Sequence, residues 1–157
     1  MPPGNDNPPT LSEQVARCRS DERFLGQLRA IYASVDAAVA EASPSCRGCG
    51  ECCRFERAGH KLYVSIGELA LLAGQPLPSG ARAEAGRCPY QVGARCAARE
   101  GRALGCRVHF CNPPARGWCE ETYERFHTQI RVLHDRLGLP YAYIEMTGAL
   151  AELGQSM

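Results

Sequence analysis

Aromatic residues are scarce in this chain, with one Trp and four Phe among 157 residues. A surface that stacks bases needs more rings than that. The basic residues are scattered rather than gathered into a stripe, so the composition argues against a nucleic-acid partner. No apolar run approaches the roughly 18 residues of a membrane span, which argues against a membrane partner. The opening Met1-Pro-Pro-Gly-Asn-Asp-Asn-Pro-Pro-Thr10 has neither a basic segment nor an apolar run. It does not read as a secretory signal, and a cytoplasmic location is expected. No Ser-His-Asp set, phosphate-binding glycine loop or dinucleotide fingerprint occurs. Glu51, Glu56 and Glu100 show no catalytic pairing, and the sequence leans away from an enzyme. It contains no internal repeat.

Cysteine, by contrast, is abundant: ten residues, eight of them between Cys46 and Cys111. Such density has two common causes, disulfides and metals, and a reducing compartment selects metals. The charge pattern points the same way. Residues 46–111 hold ten Lys/Arg and five Asp/Glu, a local +5, whereas 1–45 and 112–157 each carry −2. Surplus arginine offsets the negative charge of a thiolate–metal site.

Along the chain, residues 1–9 are rich in Pro, Asn and Gly and read as disordered. Residues 10–157 read as one domain in three parts: a helical segment at 10–43, a cysteine core at 44–113, and a helix with its tail at 114–157. Thr10 looks like an N-cap with Glu13 completing a capping box. Leu11, Val15, Cys18, Leu25, Leu28, Tyr32, Val35 and Val39 share one helical face up to about Ala42. Ser20-Asp21-Glu22 is placed to restart a second helix. Lys61–Val64 reads as a short strand. Ser65 and Glu68 form a second capping box, with Val64 and Leu69 as a staple, opening a helix that stops at Gly74. A turn of helix is expected around 97–104. Trp118, Thr122, Phe126, Ile130, Leu133 and Leu137 mark a helix over 118–137 that ends at Gly138. Tyr141–Thr147 reads as a strand, with a weakly helical tail. The expected fold is mainly α with little β, around a loop-rich, metal-organised cysteine core. The middle segment has few large apolar residues, so its order is expected to come from metal–thiolate bonds.

The leading motif is Cys46-Arg-Gly-Cys49-Gly-Glu-Cys52-Cys53. A C-x2-C pair is a zinc-knuckle spacing, and a C-x2-C-x2-C run is more typical of iron–sulfur loops. This favours an iron–sulfur cluster, the 4Fe–4S form first, over zinc. Adjacent side chains such as Cys52 and Cys53 diverge, so one serves each of two centres. Cys88, Cys96, Cys106 and Cys111 supply the remaining ligands. The spacing leaves the partition open, and a single cluster with spare cysteines is the alternative.

Taken in order, Cys46-x2-Cys49-Gly-x-Cys52-Cys53, Cys88-Pro-Tyr, Cys96 and Cys106-Arg-x-His-Phe-Cys111 resemble the zinc- or iron-chelating CxxCxxCC domain, the YkgJ-like cysteine-cluster family. The likeness covers about residues 46–111. Arg102-Ala103 departs from the Arg-Pro dipeptide typical of the family, a difference at a turn and not at a cysteine. The resemblance implies metal chelation. A related domain in flagellin lysine methylases implies that methyl-transfer enzymes lie nearby.

Other residues carry weaker signals. Cys18 reads as core and Cys119 as core or a spare thiol. His109 and His60 are read chiefly as loop residues, with a ligand role for His109 as the alternative. His127 and His134 read as a polar helix face. Arg47, Arg54 and Arg107 neighbour cysteines and are read equally as sulfur hydrogen-bond donors or solvated side chains. Tyr90, Phe55 and Phe110 are expected to shield the centre. The roles consistent with this pattern are electron transfer, redox sensing or metal handling. A structural-zinc interaction module with a protein partner, and a metal-dependent enzyme, are the alternatives.

Overall fold

The computed structural model describes Gly4, residues 7–46 and residues 48–155, without the side chains of Arg57, Ala58 and Gln155. Residues 1–3 and 5–6 of the stretch expected to be disordered lie outside the described residues, as does Arg47.

Two helices form the N-terminal segment, α1 (Leu11–Arg19) and α2 (Glu22–Ala42). The expected break is present because Asp21 accepts from the Phe24 N–H and caps α2 afresh. Thr10 and Glu13 form the reciprocal capping box of α1. One turn, α3 (Phe55–Ala58), follows the first cysteine loop. Strand β1 (Tyr63–Ser65) leads directly into α4 (Ile66–Ala73), capped by Ser65 and Glu68 as expected. A small hairpin, β2 (Gln91–Val92) and β3 (Arg95–Cys96), precedes the five-residue α5 (Leu104–Val108). The long α6 (Arg116–Leu137) stops at Gly138, and β4 (Tyr143–Glu145) runs into α7 (Met146–Gln155). The chain is mainly helical with two small two-stranded antiparallel sheets. No helix among the described residues is long and apolar enough to cross a membrane.

Strands β1 and β4 pair with Tyr63 opposite Glu145 and Ser65 opposite Tyr143. The sequence places strands over 61–64 and 141–147; the structure has them at Tyr63–Ser65 and Tyr143–Glu145. Met146 and Thr147 instead open α7, because Glu145 accepts from the Thr147 and Gly148 N–H groups and acts as its cap.

Helix α4 is the centre of the molecule. Ile66 through Leu72 are all buried, and α1, α2 and α7 pack on it. This corrects the expectation that metal bonds alone order the middle segment. Val64, Ile66, Leu69, Leu71, Leu72, Leu104 and Val108 all lie in the common hydrophobic core. Full burial of each large side chain among them contributes about 1.5–3 kcal/mol. Position 67 must be glycine for α2 and α6 to approach α4. A Cβ there would lie 2.1 Å from Phe24 Cζ and 2.8 Å from His134 Nε2.

His134 is a second correction, since it is fully buried rather than part of a polar face. Burial outweighs the carbonyls around it and lowers its pKa below the usual 6.5. Its Nδ1 lies 2.9 Å from the Pro140 carbonyl, which can only accept, so Nδ1 carries the proton. Nε2 has no partner. Below about pH 6.5 the unfolded chain binds a proton that folded His134 resists, so this residue costs stability as pH falls through that range. Chemical denaturation from pH 7.5 to 5 should show a shallower acid-side loss in His134→Gln than in the wild type. The difference in slope is at most about 1.4 kcal/mol per pH unit. Equal slopes would show that folded His134 takes up a proton as readily as the unfolded chain does. Trp118 and Leu137, expected in the buried stripe of α6, are only half-buried.

Candidate metal centre

Four of the predicted ligands are linked by electrostatic interactions. Cys53, Cys88, Cys96 and Cys106 arrive on separate pieces of chain, each half-buried. Cys106 interacts electrostatically with Cys88 and Cys96, Cys88 with Cys96, and Cys53 with both Cys88 and Cys106. Each piece is anchored by its own contacts.

Cys53 ends a one-turn helix, Glu51–Cys53, that follows Gly50. Gly50 has φ 74° and packs on the β2–β3 hairpin, where a Cβ would meet Ala94 Cα at 2.8 Å. Its carbonyl accepts from Gln91 Nε2 at 2.8 Å. Only glycine meets both the backbone and the space requirement there. The hairpin sets Cys96 opposite Gln91. The Tyr90 hydroxyl lies within hydrogen-bonding distance of the Leu72 and Gln75 carbonyls at the end of α4, which ties the Cys88-Pro-Tyr turn to the core. On the other side of that turn, the Gly86 N–H donates to Thr147 Oγ1 in α7 at 2.8 Å. Cys106 sits in α5.

Burial pushes the Cys106 thiol up to about 12, and Cys88 and Cys96 add to the shift. The same effect raises Cys88, although the backbone amides of Tyr90 and Gln91 act against it. Cys53 is raised because it donates a hydrogen bond to Cys52, and Cys52 is lowered for the same reason. Burial and neighbouring thiols thus favour the neutral form of Cys53, Cys88 and Cys106 unless a cation offsets their charge. Arg102 interacts electrostatically with Cys106 and Cys96, and the sequence did not single it out for that role.

The other four predicted ligands are exposed. Cys46 and Cys111 line one surface cleft with Ser45, Asn112 and Pro113. Cys52 lies beside His60, whose Nε2 is 2.9 Å from the Cys52 carbonyl. The His60 ring packs 5.2 Å from Phe55 and 5.6 Å from His109. Cys49 is exposed on the loop between Cys46 and Cys52. Among the described residues, no three Cys, His, Asp or Glu side chains converge tightly enough to hold a metal ion as they stand. None of the ten cysteines is in a disulfide.

Cys18 is a fully buried core residue, and Cys119 is half-buried. Tyr90 and Phe55 are buried as expected, while Phe110 packs 6.2 Å from Trp118. Two arginines find carboxylates rather than sulfur. Half-buried Arg54 lies 3.7 Å from Glu51. Arg107 is buried, with Nη1 at 2.9 and 3.0 Å from the two Asp36 oxygens, Nε on the Arg102 carbonyl and Nη2 on the Glu100 carbonyl. Its guanidinium stacks 4.1 Å over the Tyr32 ring. The planar fork of arginine explains this bridging role, which lysine could not fill.

No protein-family model matches the chain, and no curated protein or solved structure shows significant similarity to it.

Proposed function

We propose that this protein binds a metal centre through Cys53, Cys88, Cys96 and Cys106, and a second through Cys46, Cys49, Cys52 and Cys111. The centres are iron–sulfur clusters, with the 4Fe–4S form favoured, or zinc. The observation that supports the reading is the electrostatic interaction that links four half-buried thiols from four chain segments. Such a donor set fits what these groups require: four soft sulfur ligands in both cases. Membership of the CxxCxxCC cysteine-cluster family is part of the proposal, supported by the order and spacing of the eight cysteines. So is a location in the reducing cytoplasm.

A bound cluster supplies reversible one-electron chemistry, and bound zinc supplies a redox-inert cross-link. The residues of the chain do the rest. The thiols of the first set give up their protons on binding, and Arg102 offsets the charge that remains at Cys96 and Cys106. Tyr90 and Phe55 close the inner side against water. The role that follows is electron transfer, redox sensing or metal handling.

Protein purified under anaerobic conditions should be brown, contain iron and acid-labile sulfide, and show a paramagnetic resonance signal on reduction. Colourless protein with zinc bound selects the zinc form. Protein with neither metal, refractory to reconstitution with both, overturns the proposal.

A further inference from the structure

Helix α5 carries Cys106, but its own N-cap is Ala103, which has no side chain able to cap. The missing partner comes from 36 residues upstream. Glu68 Oε1 accepts from the Leu104 N–H, the first amide of α5, at 2.8 Å. Oε2 of the same carboxylate accepts from the Ser65 N–H and hydroxyl, both at 2.9 Å, in the capping box of α4. One buried carboxylate therefore caps two helices. Tyr32 of α2 donates to Oε1 at 3.3 Å, and its ring lies beneath the Arg107 guanidinium. Arg107 follows Cys106 directly and is held by Asp36 of α2 and by the carbonyls of Glu100 and Arg102. Cys106 is thus fixed from both sides, by Glu68 at the start of its helix and by Arg107 at the next residue. All the groups belong to one network joining α2, α4 and α5.

We propose that Glu68 and Tyr32 are positioning residues for the metal centre, holding the Cys106 sulfur in place through the first turn of α5. The inference rests on the metal-binding reading above and adds residues that touch no metal. A network of this kind matters because outer partners orient a ligand and hold it ready, and their loss typically weakens metal binding by about 10- to 100-fold. A buried network also tolerates little partial disruption.

The test uses Co2+ as the probe, since its visible bands report thiolate coordination geometry. Affinity is measured by competition with a chromophoric chelator. Glu68→Gln should weaken Co2+ binding by about 10- to 100-fold and shift the bands. Tyr32→Phe removes one hydrogen bond without changing charge or ring packing, and should weaken binding in the same direction by less. Val15→Ala, a core truncation in α1, serves as the stability-matched control and should keep the wild-type affinity and spectrum. If Glu68→Gln does not fold, Tyr32→Phe decides the question. Wild-type affinity and bands in the folded network variants would overturn the inference while leaving metal binding intact. An equal loss in Val15→Ala would also overturn it, by tracing the effect to general destabilisation. A wild-type protein that takes up neither Co2+ through thiolates nor, on reconstitution, an iron–sulfur cluster or zinc would remove both the inference and the reading beneath it.

Discussion

Cys106→Ser should lose the metal of the four-thiol centre and unfold more easily, whereas Cys18→Ser should keep its full metal content. Cys106 is one of four thiols in the cluster and the one with the most extensive positioning network. Replacing a direct ligand should weaken binding well beyond the 10- to 100-fold typical of an outer partner. Metal-binding energy is folding energy in a site whose ligands come from distant segments, so stability falls with it. Cys18 is fully buried in α1, away from the cluster. Its replacement buries a hydroxyl and costs about 1–3 kcal/mol, with no change in metal stoichiometry. Cys49→Ser should remove only the second centre, leaving the first filled. Elemental analysis of the three purified variants checks the set. Equal metal loss in all three would refute the division into two ligand sets and a spare.

Gly67→Ala should destabilise the fold by about 1–3 kcal/mol, and Gly67→Val by more. The new methyl would stand 2.1 Å from Phe24 Cζ of α2 and 2.8 Å from His134 Nε2 of α6. Neither ring can give way easily. Both are fully buried, and His134 is tied to the Pro140 carbonyl. The helices must move apart instead. Thermal melts should show a fall of roughly 2–4 °C per kcal/mol for a chain of this size. A Gly67→Ala protein as stable as the wild type would show that α4 is packed less closely against its neighbours than described. Because α4 carries both Glu68 and the Leu72 carbonyl that accepts from Tyr90, the same substitution should also loosen the cysteine face.

The longer helices and three of their caps were legible because their signals are local, whereas the short α3 and α5 were not placed. Thr10 with Glu13, Asp21, and Ser65 with Glu68 each lie three residues from the group they satisfy, and the structure has all three capping contacts. The buried stripe of α2 follows the same local rule through Leu25, Leu28, Tyr32 and Val35. Long-range partners left no such mark. Nothing near Glu68 in sequence shows that it also caps α5, and nothing near Arg107 shows that Asp36 receives it. The sequence places Arg107 equally among sulfur donors and solvated side chains; the structure buries it because four oxygen acceptors and the Tyr32 ring surround it. His134 and the full burial of α4 were missed for a related reason. An eight-residue helix buried on every side has no polar face to give it a period.

The eight cysteines were visible as a set, but their grouping was not. Adjacent Cys52 and Cys53 read as ligands of two centres; in the structure Cys53 interacts with Cys88 and Cys106 as well as with Cys52, and Cys52 is exposed beside His60. The positions of the β2–β3 hairpin and α5 are set by contacts of Gly50, Tyr90 and Glu68 that span 18 to 41 residues of chain.

The most direct test of the central claim is a residue-resolved map of thiol alkylation on anaerobically purified protein, before and after metal removal by a chelator. The account predicts that Cys53, Cys88, Cys96 and Cys106 are protected together in the metal-bound protein and become reactive together when the metal leaves. Cys119 should react to the same extent in both states. Independent reaction of the four, at rates that metal removal does not change, would contradict it.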